Sequence, residues 1–197
     1  MRMQLRSESF PFLSLATAIV ALAAALCIHG CAQVQRPVLE DSPVRISELL
    51  FAPSDAQGTG EFVEIVNAST GTVDLSGWEV TGPGRTSLPA GTSLPPGESL
   101  VLCKHRETCE RIGGTRLPRV VEFEGKLNNA GEIVRIEDPQ GRVADEVSYD
   151  PADPEVAKAD GTGQSIHRAK YAASEGPGVW RAGPPTPGAT ALGSATR

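Results

Sequence analysis

Histidine is scarce in this chain, and that limits the chemistry open to it. Of three histidines, His29 falls in an apolar N-terminal stretch, which leaves only His105 and His167 for acid–base work. No G-x-S-x-G nucleophile elbow and no H-E-x-x-H zinc motif occurs, so no catalytic residue is assigned. Calcium-loop spacing is missing too. The acidic group Asp150, Asp153, Glu155 and Asp160, interrupted by Pro151 and Pro154, reads as a solvated surface loop. There is no internal repeat and no helix-period pattern of ten or more residues. Nothing asks for a cofactor or a metal.

Positive charge is also in short supply. The formal charge is −6, and it becomes −7 once the first 30 residues, carrying Arg2, Arg6 and Glu8, are set aside. Nucleic-acid affinity rests on Lys and Arg neutralising phosphates, so nucleic acid is disfavoured as a partner. The densest basic stretch, Lys104, Arg106, Arg111, Arg116 and Arg119, is interrupted by Glu107 and Glu110 and reads as a solvated loop.

What is present begins at the amino terminus. Arg2 and Arg6 precede an uncharged apolar run from Phe10 to Ile28, followed by His29-Gly30-Cys31. Residues 1–30 resemble a bacterial lipoprotein signal, which implies a lipid on Cys31 and a place in the bacterial cell envelope outside the cytoplasm, at the outer membrane or periplasmic face. Ile28 and His29 depart from the usual lipobox residues; a different cleaved signal and an uncleaved anchor stay open as alternatives. Residues 31–43, with Pro37 and Pro43 and no periodicity, read as a tether.

From Val44 onward, short apolar β-forming runs alternate with Gly, Pro, Asp and Ser clusters, the pattern of an all-β sandwich or barrel spanning residues 44–171. Strands are expected over 44–51, 61–67, 72–81, 98–104, 120–123, 132–137, 142–149 and 164–168. The expected core includes Val63, Ile65, Trp78, Leu100 and Ile136. In the first run Val44 and Ile46 share one face while Leu49 and Phe51 fall on the other, which calls for a β-bulge near Ser47. Asp138-Pro139-Gln140-Gly141 predicts a hairpin turn, and Asp74-Leu75-Ser76-Gly77 another turn. Asn67 is expected to bond loop backbone, and Glu61 and Glu64 to keep an exposed face soluble. Residues 172–197 read as a Gly/Pro-rich tail docked in part through Trp180.

The ordered series ISELLFAP, EFVEIVN, VDLSGWEV, LPAGTSLPPGESLVL and LNNAGEIVRIEDPQGRVADEVSY resembles a lamin-tail domain over residues 44–149. The resemblance implies an immunoglobulin-like β-sandwich that mediates protein or ligand contacts, with no catalytic residues to carry over. A non-enzymatic binding or scaffolding module is therefore expected, its partners the membrane, through the lipid, and an unidentified envelope or extracellular protein. The alternative is an accessory subunit that recruits a secreted hydrolase or holds DNA at the surface.

Cys103 and Cys109 are the only cysteines after Cys31. In an oxidising compartment they read as a disulfide closing a short loop. A zinc site of Cys103, His105 and Cys109 would lack a fourth ligand.

Overall fold

The computed structural model describes residues 37–39, 41–55, 57–169 and 179–189. The signal at 1–30, Cys31, and residues 172–178 and 190–197 of the tail lie outside them. The strands are β1 (Val44–Leu50), β2 (Phe62–Asn67), β3 (Val73–Asp74), β4 (Glu79–Thr81), β5 (Arg85–Ser87), β6 (Ser93–Leu94), β7 (Ser99–Cys103), β8 (Val120–Glu122), β9 (Glu132–Glu137), β10 (Val143–Tyr149), β11 (Ser165–Arg168) and β12 (Trp180–Gly183), with two short helices, α1 (Arg106–Gly113) and α2 (Pro154–Ala157). A six-stranded sheet, β12-β11-β1-β2-β7-β8, and a four-stranded sheet, β10-β9-β4-β5, form an immunoglobulin-like β-sandwich, with β3 and β6 as a separate small ribbon.

Alternation along the strands builds the core. Val44, Ile46, Leu49, Val63, Ile65, Leu100 and Leu102 point from the six-stranded sheet toward Val80, Val134, Ile136 and Val147 of the other, and Trp78 and Trp180 join the same buried cluster. Parity in β1 is restored as the apolar pattern requires: the β1–β2 register shifts between Ile46 and Glu48, so Ile46 and Leu49 share the inner face. The bulge frees the Ile46 amide, and the Asp145 carboxylate accepts it at 2.7 Å. Asp145 lies beside a register shift of its own, in β10, and is ion-paired with the nearly buried Arg168. Two irregularities in different sheets are thus tied by one charged pair, whose hydrogen bonds offset the cost of burying it.

Turns sit where their residues demand. The Asp138 carboxylate accepts the amides of Gln140 and Arg142 at 3.0 and 2.9 Å, and Gly141 takes φ 73° to close the β9–β10 hairpin. Asn67, fully buried at the end of β2, donates to the carbonyls of Gly71 and Leu94 and accepts from Ser69, pinning the β3–β6 ribbon.

Several elements differ from expectation. The 72–81 run is two strands separated by the Asp74–Gly77 turn, and the Pro-Gly-rich stretch after it contains β5 and β6. Within the basic stretch, Arg106 and Arg111 lie on the two-turn helix α1, in which Arg106 pairs with Glu110, while Lys104, Arg116 and Arg119 lie in loop. Within the tether, the Pro37 carbonyl accepts the Val143 amide and the Leu39 amide donates to the Val143 carbonyl, both at 2.8 Å, so residues 37–39 lie along β10. Trp180 begins β12, which pairs with β11, and its indole N–H donates to the Ser148 carbonyl at 2.8 Å. That segment is sheet.

Candidate functional site on the covered sheet face

Every residue of β2 is buried, which a sheet with one wet face does not allow. The outer face of the six-stranded sheet is covered, in two chemically different halves. On one half Leu50, Phe62, Val101 and Cys103 pack with Cys109 and Leu117, and Ile112 and Val120 lie against them. Helix α1 supplies this cover. Its first amide, that of Arg106, is accepted by the Glu122 carboxylate at 2.7 Å, and Gly114 closes it in the left-handed conformation.

The two cysteines sit inside this apolar half. Both are free thiols in the structure and both are buried. The contact with Cys103, and then burial, push the Cys109 thiol well above its ordinary range. Among the described residues no group of three His, Cys, Asp or Glu side chains is arranged to hold a metal.

The other half is polar. Glu48 and Glu64 oppose one another in the β1–β2 register, and both are buried. Burial of Glu61 and Glu64 corrects the expectation that they keep an exposed face soluble. Glu61 accepts the Leu127 amide at 2.8 Å, and its burial raises its pKa. Glu64 is covered by the chain beyond β12: its Oε2 accepts the Gly188 amide at 2.8 Å, while Ser47 donates to Oε1 at 2.8 Å. Glu48 accepts the Thr186 amide at 2.9 Å, the Thr186 hydroxyl at 2.7 Å and the Ser165 hydroxyl at 2.6 Å. Desolvation first, and the nearby Glu48 charge second, push Glu64 from 4.5 to about 7.

Ser165, His167 and Glu48 have the composition of a hydrolytic triad but the wrong wiring. His167 Nε2 lies 3.0 Å from Ser165 Oγ and 3.0 Å from the Pro184 carbonyl, and Nδ1 lies 3.5 Å from Glu48 Oε2. Nε2 is shared between the serine and the Pro184 carbonyl, which can only accept, rather than being aimed at the serine alone as a triad requires. The serine proton goes straight to Glu48, and Ser165 has no exposed surface. The cluster is a structural tie that holds the segment after β12 against the sheet. Of the expected site residues, Val63, Ile65, Trp78, Leu100 and Ile136 lie in the main core. Sequence reasoning missed Glu48, Ser165 and Thr186; the one sequence signal for the cluster was Glu64 interrupting an apolar run.

A closed sandwich whose polar side chains are turned to internal ties defines an immunoglobulin-like module. The Lamin Tail Domain family matches residues 39–151, more than half of the chain, and the chain belongs to that family. The match ends before β11, so Ser165, His167, Thr186 and Gly188, which bind the two glutamates, lie beyond it. No curated protein matches the chain.

Proposed function

We propose that the chain is a non-catalytic binding or scaffolding module of the cell envelope, held outside the cytoplasm by a lipid on Cys31. One observation carries the non-catalytic reading: Ser165, His167, Glu48, Cys103 and Cys109 are committed to internal contacts on the covered face, and the exposed His105 has only the Thr108 hydroxyl, at 3.3 Å, as a side-chain partner. The anchoring reading rests on the charged start, the apolar run and the Gly30-Cys31 pair. Contact with a partner falls to the four-stranded sheet, whose outward face carries Glu79, Thr81, Arg85, Arg135 and the exposed Ile133. The ion pairs Glu79–Arg85 and Arg135–Glu146 keep that face soluble, while Ile133 offers an apolar point of contact.

Two measurements test this. Radiolabelled palmitate enters the wild type and not Cys31→Ala; equal labelling removes the anchor. Photocrosslinkers at Glu79 and Ile133 trap a defined envelope partner that one at the exposed Ser93 of the β3–β6 ribbon does not. Turnover by the purified protein in a panel of hydrolase substrates would replace a binding role with an enzymatic one.

A further inference from the structure

The polar half of the outer sheet face gathers more acid than it can hold fully ionised. Glu48 and Glu64 stand opposite each other on adjacent strands, almost without solvent contact. Two carboxylates so placed repel each other and lack water to spread the charge. Among the described residues no Lys or Arg forms an ion pair with either; the His167 imidazole, 3.5 Å from Glu48, pairs with it only when protonated.

The groups facing the pair come from every neighbouring element. β1 contributes Ser47, and β11 contributes Ser165 and His167. On β7 the residue in register with Glu64 is the uncharged Val101, and the Ser99 hydroxyl on the same strand favours the ionised form of Glu64. The strap, residues 184–188, contributes the Thr186 amide and hydroxyl and the Gly188 amide. The strap also meets Gly113 of α1 through Pro187, Leu117 through Gly188, and His167 through the Pro184 carbonyl at 3.0 Å. Three of its hydrogen bonds to the sheet face, from the Thr186 amide and hydroxyl and the Gly188 amide, end on the two carboxylates.

We infer that residues 184–188 form a proton-operated latch, shut while the Glu48–Glu64 pair retains a proton and loosened when both carboxylates ionise. A place for the proton is built in. Ser47 Oγ lies 2.8 Å from Glu64 Oε1 and 3.3 Å from the Glu64 carbonyl, so its hydroxyl can turn to the carbonyl and accept the carboxyl proton. Glu64 Oε2 meanwhile continues to accept the Gly188 amide. With the strap lifted, Glu64 regains water and returns toward its ordinary value of 4.5, whereas under the strap it sits at about 7. The shut form binds the extra proton between those values. Shutting is thus favoured at the acid end of the window and lost as pH rises through about 7. Opening uncovers a groove with an acidic floor, bordered by Leu117 and α1.

Amide hydrogen exchange on the full chain between pH 5.5 and 8, corrected for intrinsic rates, tests the latch. Protection of the Thr186 and Gly188 amides should fall at least about tenfold across that range, from a level below that of the β2 amides, which open only with the whole fold. In Glu64→Gln, whose side-chain oxygen still accepts the Gly188 amide, strap protection should stay high and flat with pH. His167→Gln should keep the wild-type response, and Thr186→Val should lower protection at both ends without removing the pH dependence. Flat protection in the wild type, or an undiminished pH response in Glu64→Gln, overturns the latch, as does loss of the response in His167→Gln alone.

Discussion

The two halves of the covered sheet face are closed by opposite means. Under α1 the contact is apolar and non-directional: Phe62, Leu50, Val101 and Leu117 are shut away with no requirement on angle. Under the strap the contact is directional, and its bonds span great sequence distance, 138 residues from Thr186 to Glu48 and 124 from Gly188 to Glu64. One sheet thus carries a cover that should hold at any moderate pH beside one whose strength depends on a proton. The difference shows how a small domain can remain stable while part of its surface stays adjustable.

The largest effect should come from the apolar half. Phe62→Ala is expected to cost about 3–5 kcal/mol in urea unfolding, since a fully buried aromatic is replaced by a cavity. In the polar half, Glu48→Ala strands the Ser165 and Thr186 donors; about 2–3 kcal/mol is expected at pH 7, and a loss below ~1 kcal/mol would show that the strap bonds contribute little. The halves should separate most cleanly by pH. Glu64, raised from 4.5 to about 7, destabilises the fold as pH rises through that interval, because the folded state holds a proton the unfolded chain gives up. Between pH 5 and 8 the wild type should lose on the order of 2 kcal/mol. Phe62→Ala should keep that slope, and Glu64→Gln should flatten it.

Oxidation offers a comparable lever on the apolar half alone. Joining Cys103 to Cys109 closes so short a loop that about 2 kcal/mol is expected from chain entropy. Thiol titration of denatured protein should find two reactive groups at these positions in reduced material and none after export to an oxidising compartment. Unfolding midpoints with and without reductant should differ, while exchange at Thr186 and Gly188 stays unchanged.

The sandwich was legible in the sequence because its signals are local. Parity along 44–51 required the bulge that the β1–β2 register shows, and Asp138-Pro139-Gln140-Gly141 marked its hairpin. The ordered motifs led to the family that the match over residues 39–151 establishes. The covered face was not legible. Glu64 stands between Val63 and Ile65 as a residue on a wet face would, and strand periodicity carries no information about a cover arriving from residues 184–188. β5 and β6 are only three and two residues long, too short for a periodic signal, and β12 is hidden in a stretch whose Gly and Pro content suggests a loose tail. Composition and period report what a segment prefers by itself; tertiary cover overrode both.

The smallest expected effect concerns a single glycine at the seam between the halves. Gly188 has φ 78°, and a Cβ there would come within 2.6 Å of Leu117 Cδ2. Gly188→Ala therefore meets backbone strain and a clash with the apolar half at once, and about 1 kcal/mol of destabilisation is expected. Gly71 is exposed, and a methyl group added there would meet nothing within 4 Å, so it should accept Ala with a change under ~0.5 kcal/mol. If the strap is a separate latch, the Gly188→Ala cost should appear first as faster exchange at Thr186, with the urea midpoint moving little. A full loss in the urea midpoint with unchanged exchange would mean that the strap and the apolar half open only together, as one cooperative cover.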